Sequence, residues 1–455
     1  MTTTYPCDYI DKGGLAVSDN ARGCSGTPTW QLVVRGALDP AHVRSALADT
    51  VARYPSLRCR VQAIDHADPL RARRFQYVED PAFDVDAILR VAEARDEAAL
   101  AALVHEEQNR PLDLFADFPL TLTLARTGDD ACRLLFRQHH AIADGRAFIE
   151  LLGDFAGYLD AARAGRRPAA ETLAPIHRRD ELAPLSLAPL SLTRARRFAW
   201  RLAGYLTLVG LVLRALFRPA VPLLQNLSND YRGDNGTVHL AYDDAALAPW
   251  NAARKRAGAS LNSLLTAALF CAAARWHRAR KAPIGRARAT LIMETRPRDG
   301  GFRSFANHLA TLDVGLPLDR SDDAAAMARA IQAQVDAQRR AQRPFKRLLA
   351  ERAIVRGMPL GAMRRIVFES RRASYNLNFS NLIALDFPTL AGDGWRVEEV
   401  LITTPVTPRT GIALTAIRYG GRVTFNFNYK ASAATRADAE ALCREFAAVL
   451  DELVR

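Results

Sequence analysis

The chain is short of side chains that tie a fold together covalently or through a metal. Its six cysteines, Cys7, Cys24, Cys59, Cys132, Cys271 and Cys443, lie far apart, and no two stand at C-x-x-C spacing. That excludes a redox dithiol, a zinc-finger frame and the disulfide lattice of a small secreted domain. Several fall in apolar segments, where a free cysteine is a small core residue. Lysine is scarce, and Asp and Glu number 49 against 62 Lys and Arg, so the net charge of +13 is nearly all arginine. Such a balance attracts anions: a phosphorylated cofactor, an acidic carrier protein, an anionic lipid or nucleic acid. An arginine-rich composition alone produces the same number with no partner. The arginines are scattered, and neither zinc-finger spacing nor an aromatic RNA-binding strand accompanies them, so no nucleic acid is expected. The opening MTTTYPCDYIDKGG has no basic head and no apolar run. A secretory signal is therefore not expected, and a cytoplasmic location is.

What is present is a globular composition, 49% hydrophobic and 24% charged over 455 residues. That length exceeds one ordinary hydrophobic core, so two lobes are expected. The first half alternates strand and helix patterns. Leu32, Val33 and Val34 read as a strand. Asp39 then Pro40 opens a helix, since Asp accepts from free amides and Pro fits the first turn. Val43, Ala46, Leu47 and Val51 follow at helical spacing, and Tyr54-Pro55 ends it. LRCRV, LTLTLAR and CRLLFRQHH read as strands, and Glu97 to Gln108 as a helix. Phe148, Ile149, Leu152, Phe155 and Leu159 form an amphipathic helix face.

The second half repeats the theme. Ser260 opens a helix through SLNSLLTAALFCAAARW, and Asp323 to Gln342 is another. RATLIMETRP, NHLATLDVGLP, SYNLNFSNL, GIALTAIRY and RVTFNFNYK are strands, the last two joined by a Gly420-Gly421 hairpin turn. Val423, Phe425, Phe427 and Tyr429 share one face there, and Thr424, Asn426 and Asn428 the other. A last helix starts near Arg436. We divide the chain into an N-terminal lobe over 1–180, a connector over 181–230 and a C-terminal lobe over 231–455.

The connector has two characters. Its first part is Pro-rich and aperiodic, a linker beginning near 165. Then comes RARRFAWRLAGYLTLVGLVLRALFRPAVP, uncharged and mostly apolar between Arg201 and Arg214. That run is shorter than the roughly 20 residues a membrane span needs. Arg194, Arg196, Arg197 and Arg201 crowd its amino end, and Arg214 and Arg218 lie beyond. Two readings fit: a helix buried between lobes, or an interfacial helix that lies on anionic lipid or lines a lipid entrance through 194–218. The second would place the protein peripherally at the inner membrane surface.

Of nine histidines, two are adjacent in RQHHAIADGRAF, residues 137 to 148, where a strand hands over to a helix. Side chains alternate along a strand, so His139 and His140 point to opposite sides. That opposes a shared metal, and Gly145 opposes a helix that would bring His140 and Asp144 onto one ion; no metal is expected. Histidine's ordinary pKa lies near neutrality, so proton transfer fits better. A nearby Asp can fix the loop, and Gly145 permits the tight turn.

His139-His140-Ala141-Ile142-Ala143-Asp144-Gly145 is similar to the HHxxxDG signature of the CoA-dependent acyltransferase superfamily. That group includes condensation domains, polyketide-associated acyltransferases and wax ester and diacylglycerol synthases. GALDPAHVRSALADTVARYPSLRCRV also resembles its opening strand-helix-strand, and RVTFNFNYKASAATRADAEALCREFAAVLDEL its closing strand and helix. The resemblance implies an α/β fold of two chloramphenicol-acetyltransferase-like lobes with a tunnel between them, in a monomer. It implies His140 as the catalytic base facing the tunnel and His139 as structural. It implies that Asp144 pairs with an arginine of the second lobe, Arg296 in METRP or else Arg298. Asn307 in FANHL would shape the cleft, and Ser380 or Asn381 in NFSN would donate to the oxyanion. The same residues could be surface or strand-edge polar groups. The implied donor is acyl-CoA or a phosphopantetheinyl carrier protein, with no permanently bound cofactor. The implied acceptor is a small molecule or lipid with a hydroxyl or amine. An O-acyltransferase is favoured, a free-standing condensation enzyme is the alternative, and a non-catalytic thioester- or carrier-binding member is the third reading.

Overall fold

The computed structural model describes residues 3–166, 172–173, 194–217, 233–280, 285–296, 303–318, 323–369, 376–406 and 412–455. The Pro-rich linker is largely outside the described residues, as are Arg218 and Arg298. The elements of the first half are β1 (Thr4–Pro6), α1 (Tyr9–Ala16), β2 (Thr29–Arg35), α2 (Pro40–Arg53), β3 (Cys59–Ala63), β4 (Phe75–Glu79), β5 (Leu89–Glu93), α3 (Glu97–Asn109), β6 (Leu120–Gly128), β7 (Ala131–Gln138) and α4 (Gly145–Arg163). Helix α5 (Arg194–Phe217) leads to β8 (Asn235–Asp243), α6 (Leu247–Arg256), α7 (Leu261–Ala279), β9 (Arg286–Glu294), β10 (Leu309–Pro317), α8 (Ala324–Arg340), α9 (Arg343–Gly357) and α10 (Leu360–Glu369). Then follow β11 (Leu377–Asn381), β12 (Ala391–Gly392), β13 (Trp395–Thr403), β14 (Ile412–Tyr419), β15 (Arg422–Lys430) and α11 (Arg436–Val454).

Two six-stranded sheets organise two lobes. One has the order β12-β13-β2-β7-β6-β5, the other β10-β9-β11-β14-β15-β8, and β1-β4-β3 forms a small third sheet. The first core sets Leu32, Val34, Leu134 and Phe136 of the sheet against Val43, Leu47 and Val51 of α2 and Phe148, Leu152 and Phe155 of α4. Asp39 accepts from the Ala41 amide at 2.8 Å, so α2 begins where its cap and Pro40 dictate. In the second core α7, capped by Ser260, is buried over most of its length against β15 and α11. Gly420 and Gly421 turn the hairpin at φ 58° and 77°, a conformation that favours glycine at both positions.

The lobes are not continuous in sequence, and the division drawn above omits this. Strands β12 and β13 leave the C-terminal half and complete the N-terminal sheet, with β13 antiparallel to β2 from Arg396 opposite Arg35 to Thr403 opposite Thr29. Trp395 and Val397, then Val400 and Ile402 beyond a bulge, give the strand an apolar face, and they bury in the first core. Leu360 and Met363 of α10 join the same core. The polar face of β15 is consequently covered. Asn426 accepts from the Ile402 amide at 3.3 Å and Asn428 from the Thr404 amide at 3.0 Å, so these amides hold the crossing segment.

Helix α5 is neither buried nor free. Gly204 packs so closely on α9 that a Cβ there would lie 2.0 Å from the Lys346 carbonyl oxygen. The opposite side is exposed. No described helix is by itself long and apolar enough to cross a membrane.

Candidate functional site

The two histidines lie just past β7, at the seam between lobes. The strand ends at Gln138, whose amide donates to the carbonyls of His139 and Ala143 at 3.1 and 2.8 Å, closing the turn from inside. The backbone N–H of His139 goes to Pro119 and that of His140 to Gly26, at 2.9 and 2.8 Å. The turn is therefore held from two sides, and the imidazoles diverge. His139 is 1% exposed, whereas His140 is exposed.

That difference sets their chemistry. The Ala141 amide donates to Nδ1 of His139 at 3.1 Å, so that nitrogen is the acceptor of a neutral ring. Burial, then electrostatic repulsion from His140 and Arg364, pushes the His139 pKa down to about 3. It neither gains nor moves a proton near neutrality. Gly26 and Gly14 allow the close packing: a Cβ on Gly14 would come within 2.6 Å of the Ala141 Cα.

Asp144 closes the motif as the cap of α4, with Oδ1 accepting from the Ala147 amide at 3.0 Å. Its two oxygens also take a bidentate pair from Arg296, both at 2.9 Å, and Oδ2 takes the His308 amide at 2.7 Å. Arg296 stands just past β9, so this contact crosses between lobes. It is 1% exposed in its side chain and also donates to Glu294 at 2.7 Å and to the Ala306 carbonyl at 2.9 Å. Burial works against both charges, yet their attraction prevails. Asp144 is held below the usual carboxylate range, and Arg296 above its usual value.

Asn307 makes the second tie across the seam. Its Nδ2 donates to the carbonyls of His140 and Ala141 at 2.9 and 2.8 Å. Ser380 and Asn381 end β11 next to the motif: Leu382 meets the position a Cβ on Gly145 would fill, at 3.3 Å. No hydrogen bond among the described residues joins either side chain to the motif. Asn381 instead accepts from the Ile383 amide at 3.0 Å and lies 3.4 Å from Asn262. The sequence did not single out Ser304 and His308. These are buried and joined at 2.8 Å, and His308 lends its amide to Asp144. The only available signal was nearness to Asn307: His308 follows it in FANHL, and Ser304 immediately precedes that stretch.

No group of three or more metal-ligating side chains converges among the described residues. The buried thiols offer no ready nucleophile. Burial raises Cys24 and Cys443 to about 11 and Cys59 and Cys132 to about 12.

The condensation-domain family model matches residues 17–178, and the WS/DGAT C-terminal domain model matches residues 305–454. The probable nonribosomal peptide synthetase CymA of Salinispora arenicola (strain CNS-205) is 31% identical over 151 residues, 33% of this chain and 2% of that protein. The isonitrile lipopeptide synthase of Mycobacterium tuberculosis (strain ATCC 25618 / H37Rv) is 31% identical over 137 residues, 30% of this chain and 5% of that protein. This chain thus spans a small part of the length of both. The fold is that of the first condensation domain of the calcium-dependent antibiotic synthetase, solved in complex with a substrate analogue. The TM-score is 0.71 at 16% identity, over 99% of this chain and 96% of that one. The first lobe thus matches the condensation-domain model and the second the WS/DGAT C-terminal domain model, and both matches, like the two-lobed fold, are consistent with the CoA-dependent acyltransferase superfamily.

Proposed function

We propose that the protein transfers an acyl group from a thioester to a hydroxyl or amine, with His140 as general base. The observation that carries this reading is an exposed imidazole on a clamped backbone. Gly26 fixes the His140 N–H and Asn307 its carbonyl, while the ring stays open to solvent. His140 takes the proton of the acceptor, and the freed oxygen or nitrogen attacks the thioester carbonyl. The tetrahedral oxyanion collapses, the C–S bond breaks, and the imidazolium returns the proton to the leaving thiolate. A positioned base contributes about 10²- to 10⁴-fold in rate. Ser380 and Asn381 are the proposed donors to the oxyanion, one such donor being worth about 10²- to 10³-fold. With the cysteines raised by burial, no acyl-enzyme is invoked.

The donor is acyl-CoA or an acyl group on a phosphopantetheinyl carrier protein, whose phosphates suit a chain of net charge +13. The WS/DGAT match on the second lobe favours ester formation on a lipid or natural-product hydroxyl, and the condensation match on the first favours an amide. Incubation with acyl-CoA or acyl-carrier protein and a panel of alcohols and amines, read by intact mass, decides among these. Transfer to no acceptor, with His140→Ala and the native chain alike, would leave only a thioester-binding role.

A further inference from the structure

We propose that the exposed face of α5 docks the protein on an anionic lipid surface. The helix has two unlike sides. Trp200, Ala203, Gly204, Thr207, Leu208 and Leu211 are wholly or partly covered, and Gly204 sits against the Lys346 carbonyl of α9. On the other side Phe198 is 70% exposed, Leu206 65%, Val209 53%, Val212 58% and Phe217 79%. Leu202, Tyr205 and Leu213 are exposed between them. These positions recur every three or four residues, so the apolar groups form one stripe along the helix. A contiguous stripe of this kind in water marks a surface that something covers.

Charge identifies the occupant. No acidic residue occurs from Arg194 to Phe217. Arg201 is exposed toward the amino end, beside Leu202. A second copy would bring the same stripe, the same net charge of +13 and no carboxylate on this helix to meet Arg201. A bilayer with anionic headgroups meets both needs, since acyl chains cover the stripe and phosphates lie at the level of the guanidinium group. The uncharged run between Arg201 and Arg214 is too short to span, so the helix lies in the plane of the interface. The arrangement does not depend on the acyl-transfer reading: the stripe would dock an inactive chain equally well.

The test is cosedimentation of the full chain with vesicles of phosphatidylcholine alone or mixed with phosphatidylglycerol, over a range of salt. The native chain is expected to sediment with the mixed vesicles at low salt and to be released as salt rises. Leu206→Asn combined with Val209→Asn alters two exposed side chains, so circular dichroism should be unchanged. Partitioning should fall by about tenfold or more, because two aliphatic groups no longer gain from burial. Arg201→Gln should weaken binding to mixed vesicles and leave the phosphatidylcholine baseline unchanged. Failure of the native chain to bind mixed vesicles at low salt overturns the proposal, as does equal binding by the double variant. So does a concentration-dependent dimer that the double variant abolishes while vesicles stay unbound. Transfer between a water-soluble thioester and acceptor, assayed without vesicles, should be the same in native and double-variant protein. That arm separates loss of docking from failure of the acyl-transfer assignment.

Discussion

Replacing Arg296 with leucine removes the cation that holds the motif turn to the second lobe. In the native chain the Asp144 carboxylate accepts two hydrogen bonds from Arg296 at 2.9 Å, one from Ala147 at 3.0 Å and one from His308 at 2.7 Å. After Arg296→Leu only the two backbone donors remain around a buried charge. Hydrogen bonds to charged groups are each worth about 1.5–3 kcal/mol, so two give about 3–6 kcal/mol. Breaking a buried pair from one side costs about 3–5 kcal/mol, a consistent figure. The companion Asp144→Ser keeps a capping oxygen for α4 and strands Arg296, which retains Glu294 at 2.7 Å and the Ala306 carbonyl. The double variant leaves neither charge stranded. Its loss should fall short of the sum of the singles by about 2 kcal/mol or more. Urea unfolding followed by tryptophan fluorescence measures all four proteins. A coupling energy below about 0.5 kcal/mol would refute the cross-lobe pairing, since neighbours that do not interact simply add. The pH dependence adds a sign. Asp144 is depressed in the folded state, so its contribution is complete above the unfolded carboxylate pKa of about 3.9 and is lost as pH falls through the lower folded value. In Arg296→Leu burial is opposed only by the two backbone donors, so that pKa rises relative to the native chain and the variant's deficit should shrink on acidification.

His140→Ala should cut turnover by at least about a hundredfold and leave the thermal midpoint nearly unchanged, because the ring is exposed; near-native turnover would remove the base assignment. Ser380→Ala should lower kcat by about a hundredfold or more with little change in KM if its hydroxyl meets the oxyanion, which steady-state kinetics reads directly. His139 is pushed down to about 3, so the unfolded chain binds a proton that the native chain refuses between roughly pH 6.5 and 3. Stability should be complete above that window and fall through it on acidification, and His139→Gln should flatten the slope in urea titrations. Gly14→Ala would set a Cβ 2.6 Å from the Ala141 Cα; it should destabilise by about 1–3 kcal/mol and slow turnover together by shifting the turn. An unchanged midpoint would show that the contact relaxes freely.

Much of the fold was legible because local rules carried it. Asp39-Pro40, Ser260 and Gly420-Gly421 each act within a few residues of their own position, and each element begins or turns where they stand. The apolar side of β15 was also legible, since Phe425 and Phe427 bury where the alternation puts them. What covers its polar side was not legible. Thr424, Asn426 and Asn428 share the opposite face, and they too are buried. Their partner, β13, is a strand whose own sheet belongs to the other lobe. No period in either segment records that meeting. The motif residues stood out in sequence, whereas Ser304, His308 and Gly14 did not, because what they contribute is an amide, a buried hydroxyl or the absence of a side chain.

The crossing strand gives the seam its physical meaning. An interface held only by Arg296 and Asn307 would rest on two polar contacts at the motif itself, so any loosening there would fall on His140. The chain instead sends β13 into the other lobe's sheet and lets Asn426 and Asn428 accept from its backbone. Opening the lobes along that edge would expose main-chain amides as well as side chains, and unmatched buried amides are costly. The lobes are therefore fixed by backbone pairing away from the motif, and the motif contacts can set the orientation of one turn. This division of labour makes a sharp expectation for Asn426→Leu. It should weaken the seam by about 1–3 kcal/mol through the unpaired Ile402 amide while KM and kcat move together only as lobe spacing changes. Arg296→Leu, by contrast, should lower kcat out of proportion to KM, because it frees the turn that carries His140, the proposed base.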